Sequence, residues 1–197
     1  MLIVGTGGLG KEIFGILVQD GFPDEIVFYD EDPYAPVLLY QKYKVLQDIN
    51  AVQEYFRGSD KRFITGIGHP RIREKLTLKM EGAGGILSSV ISEKASIFHF
   101  NEKYSGVIVQ QGVGISHNVI MGKGVAVHIN ASIGHSAVIG NFVNIGPNTT
   151  VIGPVKIGDY SYISAHAVVM PRIKIGKCVV VTPGKIVDRD LKDFTTY

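Results

Sequence analysis

Two histidines in the second half of the chain, His117 and His135, stand 18 residues apart. Histidine titrates near neutral pH, so it suits the removal of a proton from an attacking amine or hydroxyl. His135 is the second residue after Ile133, in the segment SIGHSAVIG, and Gly153 follows 18 residues later. If one structural coil contains 18 residues, these positions form a column. His135 and Gly153 would then share one face of the fold.

A glycine-rich segment near the N-terminus, GTGGLG, could hold phosphate. It follows a short apolar run and opens a helical pattern, and the free N–H groups at a helix N-terminus attract anions. Its glycines would let a diphosphate approach the backbone: Gly5, Gly7, Gly8 and Gly10. Asp30 and Glu31 end the next apolar run, where an acidic side chain can meet a ribose hydroxyl or a base. Alternatively, the glycines serve only a tight turn between strand and helix.

The composition excludes several classes of protein. The 197 residues carry a net charge of +2 without a basic cluster, so nothing favours nucleic acid as a partner. The mean hydropathy is +0.18, and residues 124–155 contain no charged side chain. That stretch is rich in Gly, Asn, Ser and Thr and contains Pro, so it is a poor membrane span. Cys178 is the single cysteine, which excludes an internal disulfide. We therefore expect a cytoplasmic protein without a membrane insertion.

The pattern of residues 1–92 predicts a small α/β domain of Rossmann type with a parallel sheet. Strand-like and helical segments alternate along it: strands over 2–4, 26–30, 62–67 and 85–91, and helices over 9–20, 47–56 and 69–80. The segment 81–85 (EGAGG) is predicted to be a loop. Residues 1–91 contain nine leucines, whereas Val109–Val187 contains none and has 27 Val plus Ile. Because β-branched residues favour strands, residues 93–197 should be almost entirely β-structure.

A six-residue repeat organises this second domain. Every sixth residue from Val109 to Val187 is apolar, at all fourteen positions, and six of the fourteen are followed by glycine. This period is typical of a parallel β-helix with three short strands in each 18-residue coil. The apolar residues would stack in the interior, and the glycines would supply the corners. A β-sandwich would not keep this phase over 79 residues.

The chain resembles a known family of acyltransferases. The hexads, the GTGGLG opening, the segment TGIGHPRIREKL and the segment INASIGHSAVIGNFVNIGPNTTVIGPVKIGDYSYISAHAVV are similar to hexapeptide-repeat enzymes of bacterial sugar pathways. This family includes sialic acid O-acetyltransferases and the N-acetyltransferases that act on nucleotide-linked amino sugars of bacillosamine and perosamine type. The resemblance implies a left-handed β-helix, a homotrimer, and acetyl-CoA bound between neighbouring β-helices. The products would serve bacterial O-antigen or capsule biosynthesis.

The resemblance also implies roles for individual residues. His135 matches the catalytic base, and Gly153 matches a glycine whose N–H contacts the acetyl carbonyl. Ser136 stands where the family usually carries Asp or Glu to orient the base, and a hydroxyl cannot stabilise an imidazolium as a carboxylate would. Asn144 occupies a position where some relatives carry a second histidine. Ala165 and Pro183 match positions that line the CoA pantetheine.

The remaining candidates lie near the substrate in this interpretation. In the family the glycine-rich domain holds the nucleotide of the substrate rather than a redox cofactor. His69 and Arg73 in GIGHPRIR could line the same cleft, or they could form only a solvated helix start. His117 should stack beside His135, either contacting substrate or serving only as a corner side chain. The leading hypothesis is N-acetylation of a nucleotide-linked amino sugar. Sugar O-acetylation, a non-catalytic binding protein and a zinc lyase on the same fold are the alternatives. The histidine spacing fits a metal site poorly, so no metal is expected.

Overall fold

The computed structural model describes residues 1–98 and 104–197, which form two compact units, Met1–Val90 and Ile91–Tyr197. Three helices belong to the first unit: α1 (Gly8–Gln19), α2 (Ile49–Gly58) and α3 (Pro70–Gly82). Its sheet has the strand order β3-β4-β2-β1-β5-β6. The strands are β1 (Leu2–Val4), β2 (Val27–Tyr29), β3 (Leu38–Leu39), β4 (Tyr43–Leu46), β5 (Arg62–Thr65) and β6 (Ile86–Leu87).

The central strands β2, β1 and β5 of this sheet are parallel. Because the chain runs from β1 to β2 on one side and reaches β5 on the other, the loops after β1 and β5 meet at one edge of the sheet. In open α/β sheets, ligands bind at this kind of switch point, beyond the carboxyl ends of the strands. The Rossmann-like fold expected from the sequence is confirmed.

Three details of the first unit differ from the sequence prediction. The hairpin β3–β4 was missed, and this pair is antiparallel. Helix α3 continues to Gly82, so part of the predicted EGAGG loop is helical. The single strand predicted over 85–91 is interrupted, because β6 ends at Leu87 and β7 (Val90–Ile91) begins where the second unit starts. Two-residue strands give too little periodic signal to be separated from a longer apolar run.

The second unit is a left-handed parallel β-helix with three walls. The first wall has the order β22-β19-β16-β13-β10-β8, the second β11-β14-β17-β20, and the third β21-β18-β15-β12-β9-β7. Strands pair in parallel with a register shift of 18 residues, as in Ile133 with Val151. The strand bounds are β8 (Ser96–Ile97), β9 (Ile108–Val109), β10 (Gly114–Ile115), β11 (Ile120–Met121), β12 (Ala126–Val127), β13 (Ser132–Ile133), β14 (Val138–Ile139), β15 (Asn144–Ile145), β16 (Thr150–Val151), β17 (Lys156–Ile157), β18 (Tyr162–Ile163), β19 (Val168–Val169), β20 (Lys174–Ile175), β21 (Val180–Val181) and β22 (Ile186–Val187).

The interior of the β-helix confirms the hexad interpretation. Each of the fourteen predicted apolar positions is the second residue of a strand and is buried. Small or β-branched side chains two residues earlier, such as Ala131, Ala137 and Val143, are also fully buried. Together these side chains form one continuous apolar core. Since a fully buried Val or Ile stabilises a fold by about 1.5–3 kcal/mol, this stack is the main source of stability.

The corners differ from the prediction that glycines supply them. The third residue after most inward positions has a left-handed backbone, with φ between 53° and 72°. Only three of these residues are glycine. The full set is Gly112, Asn118, Gly124, Asn130, Ser136, Phe142, Asn148, Tyr160, His166, Arg172, Cys178 and Gly184. The glycines directly after the inward residues have another purpose, because a Cβ on Gly146 would lie 2.7 Å from the nitrogen of Ala165. They allow the next coil to approach.

Candidate active site

His135 lies at the corner between β13 and β14, where its side chain is exposed. Its ring stacks on the ring of His117 from the preceding coil, with centroids 5.3 Å apart and planes inclined by 7°. The Ser136 N–H donates a hydrogen bond of 3.0 Å to the His117 carbonyl oxygen, which fixes the two coils at this corner. The predicted stacking of these histidines is confirmed. We call this corner, which carries His117, His135 and Gly153, the His135 edge.

Gly153 packs directly against the backbone of His135, which lies in the preceding coil. A Cβ built on Gly153 would lie 2.8 Å from the carbonyl carbon of His135 and closer still to its oxygen, so only glycine fits. The Gly153 N–H donates to no acceptor within residues 1–98 and 104–197. Pro154 follows after a cis peptide bond and has no N–H of its own. The structure therefore brings to one edge an exposed imidazole and, packed against its backbone, the buried Gly153, whose N–H has no acceptor among the described residues.

The orientation of His135 depends on a weak contact. Within the described residues, its one hydrogen-bond partner is the Ser136 hydroxyl, with 3.4 Å between Nδ1 and Oγ. The left-handed backbone of Ser136, with φ 57°, places the hydroxyl beside the ring. No carboxylate of the described chain hydrogen-bonds to His135. An imidazolium formed there would lack the anionic partner that stabilises it in Ser-His-Asp sites.

Two clefts flank the His135 edge. An open cleft of about 670 Å³ lies on the first wall, where Phe98, Ser132, Gly134 and Thr150 contribute to its lining. A smaller cavity of about 160 Å³ lies on the second wall. Its lining includes Ser136 and Pro154 together with three cationic side chains, Lys156, Arg172 and Lys174. Positive charge concentrated at a cleft raises the local concentration of anionic ligands.

The other β-helix candidates lie away from this edge within one chain. Ala165 and Pro183 follow β18 and β21, on the third wall, whereas His135 and Gly153 follow strands of the first wall. The Gly184 N–H donates to the Ala165 carbonyl oxygen at 2.9 Å, which aligns these two coils. Asn144 is in β15 on the third wall and is 1% exposed. The structure therefore groups His135 with Gly153, and places these three residues elsewhere.

The glycines of GTGGLG divide into two pairs. Gly5 has φ 103°, and a Cβ there would lie 2.7 Å from the Ile67 side chain. A Cβ on Gly10 would lie 3.0 Å from the carbonyl carbon of Gly5 and closer to its oxygen, so Gly10 serves helix–strand packing. In contrast, a Cβ on Gly7 or Gly8 would meet nothing within 4 Å. These two residues form the N-terminus of α1, and the space above them is open.

The acidic candidates after β2 already have partners. Asp30 Oδ2 accepts hydrogen bonds from the Thr6 N–H at 2.8 Å and the Thr6 hydroxyl at 2.6 Å. Burial raises the pKa of Asp30, but these bonds outweigh burial and leave the pKa below its usual value. Glu31 pairs with Lys79, which also lowers its pKa. Asp30 therefore holds the glycine loop, and Glu31 is part of a surface ion pair.

A buried arginine, Arg73, supports the loop that carries His69, so it does not line a cleft beside His69 as its sequence position suggested. His69 is exposed and forms the N-cap of α3 without a side-chain capping bond. Arg73, one turn later, is 1% exposed, and its Nη1 donates to the carbonyl oxygens of Ile67 at 2.8 Å and Gly68 at 3.1 Å. Desolvation lowers the pKa of Arg73 to about 10. Its burial was not readable from GIGHPRIR, where an arginine at a helix start is usually solvated.

Other site types find no support in the described part of the chain. Cys178 is a partly exposed corner residue with φ 55°. No group of three or more His, Cys, Asp or Glu within residues 1–98 and 104–197 is placed to hold a metal ion. Across the same residues, every helix is too short or too polar to cross a membrane.

Comparison with protein families supports both units separately. Residues 1–80 match the family model described as PglD N-terminal domain, and residues 136–170 match that of the bacterial transferase hexapeptide. No curated protein sequence matches the chain.

Solved structures extend the likeness to nearly the whole chain. A mutant perosamine N-acetyltransferase from Caulobacter crescentus, in complex with CoA and GDP-perosamine, is 27% identical. The match covers 98% of this chain and 90% of that protein, with a TM-score of 0.89. The acetyltransferase domain of PglB from Neisseria gonorrhoeae, in complex with acetyl coenzyme A, is 23% identical over 98% of this chain and 92% of that one, with a TM-score of 0.88. WeeI from Acinetobacter baumannii, 22% identical over the same shares, has a TM-score of 0.80.

An α/β domain followed by a left-handed β-helix, with a histidine exposed at one corner, is an arrangement similar to that of hexapeptide-repeat acyltransferases. Both units match models from such proteins, the PglD-type N-terminal domain and the hexapeptide repeat, and the chain is an acetyltransferase.

Proposed function

We propose that this enzyme transfers the acetyl group of acetyl-CoA to the amine of a nucleotide-linked amino sugar. The observation that carries the proposal is the packing of Gly153, whose N–H has no acceptor in the described chain, against the backbone of the exposed His135. The similarity to an N-acetyltransferase that binds CoA and GDP-perosamine supports the substrate class. The product would serve bacterial surface-glycan biosynthesis.

In this mechanism His135 is the general base. Its free ring nitrogen removes a proton from the sugar amine as the amine nitrogen attacks the thioester carbonyl. The carbonyl oxygen becomes an oxyanion and accepts a hydrogen bond from the Gly153 N–H, which no other acceptor of the described chain occupies. The tetrahedral intermediate then breaks its carbon–sulfur bond. The leaving thiolate takes the proton from the His135 imidazolium, and the products are the amide and free CoA.

The position of the substrates follows from the charges and open spaces of each unit. Gly7 and Gly8 leave room for a diphosphate at the N-terminus of α1, and His69 is exposed on the loop after the neighbouring strand β5. Lys156 and Arg172 lie beside the His135 edge. Their positive charges favour two substrates that both carry phosphates.

The active enzyme is proposed to be a homotrimer in which two chains complete each site. The support is the separation of the candidates within one chain, because Ala165 and Pro183 lie on the third wall and His135 on the first. In a trimer, the third wall of one β-helix would face the His135 edge of its neighbour. The pantetheine arm would then lie between them, with Ala165 and Pro183 contributed by the neighbouring subunit, whereas Asn144 is only 1% exposed and is too buried to contact it.

An acceptor panel tests this proposal against O-acetylation. CoA release from acetyl-CoA is measured with GDP- and UDP-linked amino sugars, the corresponding hydroxy sugars, and free sialic acid. We expect turnover only with the amino sugars, and a product that gains one acetyl group by mass spectrometry. Turnover with free sialic acid and none with amino-sugar nucleotides would refute the proposed substrate. Failure of acetyl-CoA to raise the melting temperature would favour a non-catalytic binding protein.

A further inference from the structure

Three aromatic rings form a column at the His135 edge. The Phe98 ring lies 5.8 Å from the His117 ring, inclined by 63°, and His117 stacks on His135 at 5.3 Å with the planes within 7° of parallel. Backbone bonds of about 3 Å, from the Ser116 N–H to the Ile133 carbonyl and from the Ser136 N–H to the His117 carbonyl, hold the coils in this register. These bonds between neighbouring coils therefore keep the face of the His117 ring against the His135 ring.

The role of this column follows from what His135 lacks. If His135 accepts a proton, as proposed above, a positive charge forms on its ring. The Ser136 hydroxyl is its one hydrogen-bond partner in the described chain, and a hydroxyl carries no charge to balance the imidazolium. A cation within about 6 Å of the face of an aromatic ring is attracted to the ring's π electrons. The His117 ring meets this geometric condition, because its centroid lies 5.3 Å from that of His135.

We propose that His117 is a positioning residue: its stacked ring orients His135 and stabilises the imidazolium, in part replacing the carboxylate that Ser136 cannot supply. This inference rests on the proposed function, because it requires His135 to become protonated during turnover. Phe98 supports His117 from the other side and limits its rotation. If the two rings were packed together only for structural reasons, the geometry would be the same. In that case, replacement of the His117 ring would not change the turnover rate.

Substitutions at His117 test the proposal through the rate rather than through binding. His117→Ala removes the ring, and we expect kcat to fall about 2- to 5-fold with both KM values unchanged, which is the effect of one exposed cation–π contact. His117→Phe keeps a π face without a titratable group and should retain kcat close to that of the wild type. His117→Lys replaces the π face with a positive charge and should lower kcat further than alanine does.

A second pair of variants supplies the missing carboxylate. Ser136→Asp is compatible with φ 57°, because aspartate is among the residues that tolerate left-handed backbone. We expect Ser136→Asp to raise kcat, and the effect of His117→Ala to shrink below 2-fold in that background, since the two groups serve the same charge. Melting temperatures close to that of the wild type would show that each variant is folded, as both side chains are at least partly exposed.

Three results would overturn the proposal. His117→Phe as slow as His117→Ala would show that the π face is irrelevant. A rise in KM for the acceptor without a fall in kcat would make His117 a substrate contact instead. An undiminished effect of His117→Ala in the Ser136→Asp background would separate its role from the missing carboxylate. The proposed function fails differently: His135→Ala would then turn over as fast as the wild type, or acetyl-CoA would not be consumed at all.

Discussion

Gly153→Ala tests the close packing of the proposed oxyanion donor against the base. The added Cβ would lie 2.8 Å from the His135 carbonyl carbon and 2.9 Å from the Gly134 carbonyl carbon. Ordinary contacts of a Cβ are 3.4–4 Å. The carbonyl oxygen of His135 would be closer still, so the two coils must separate by more than the about 0.6 Å that the carbon contacts require, and all of these neighbours are backbone atoms that cannot rotate away. The N–H and the imidazole would lose their relative placement.

Two effects should follow from this displacement. A shift of 1 Å at a reacting centre costs about 100-fold in rate, so we expect kcat to fall by about 10- to 100-fold. Overpacking of this kind destabilises a fold by about 1–3 kcal/mol, or about 2–12 °C in melting temperature for a chain of this length. CoA release measured with a thiol reagent reports the first effect, and thermal denaturation reports the second.

A matched substitution separates this effect from a general intolerance of alanine. Gly114 lies on the same wall, but a Cβ there would meet nothing within 4 Å, so Gly114→Ala should leave the melting temperature unchanged within about 2 °C. Gly153→Ala with kcat and melting temperature like those of the wild type would refute the packing argument. Equal destabilisation by both variants would also refute it.

Further predictions concern the first unit. Gly10→Ala should lower the free energy of unfolding by about 1–3 kcal/mol, because its Cβ would overlap the Gly5 carbonyl, whereas Gly8→Ala should leave stability within about 0.5 kcal/mol and raise the KM of the sugar nucleotide. Equal destabilisation would contradict this division of the glycines. The Arg62 side chain holds the pKa of Asp60 well below its usual value through bonds of 2.7–3.1 Å. A lowered pKa stabilises the fold above the unfolded pKa of about 4, and this stabilisation is lost as the pH falls towards the folded pKa. Asp60→Asn should therefore cost about 1–2 kcal/mol in urea denaturation at pH 7 and less at pH 3, and a cost independent of pH would contradict this assignment.

The β-helix was predictable because its pattern is local and repeated. Each coil uses the same inward position, so fourteen apolar residues at a spacing of six predict the stack, and the spacing of 18 predicts that His117 lies beside His135. The role of the glycines was not predictable. A glycine can be required because its φ is positive, as at Gly112, or because another coil approaches it, as at Gly134. The second cause depends on backbone positions 18 residues away, so the two glycines cannot be told apart in the sequence.

The first unit was predictable in its fold but not in its contacts. Alternating strands and helices indicate the sheet, yet a two-residue strand such as β3 carries too little pattern to be recognised. Asp30 and Glu31 have the types and positions expected of ribose ligands, but Thr6 and Lys79 already hold them. For Arg73 the sequence favours a solvated side chain at a helix start, whereas the structure buries it, and nothing in the sequence distinguishes the two.

The central claim is that His135 removes the proton from the acceptor amine, and one measurement tests it most directly. Steady-state CoA release is compared between the wild type and His135→Ala at saturating acetyl-CoA and amino-sugar nucleotide. General base catalysis contributes about 10²- to 10⁴-fold, so kcat of His135→Ala should be lower by at least about 100-fold. As a control, the wild type and His135→Ala should both bind acetyl-CoA and have similar melting temperatures. Turnover by His135→Ala at the rate of the wild type would contradict the account.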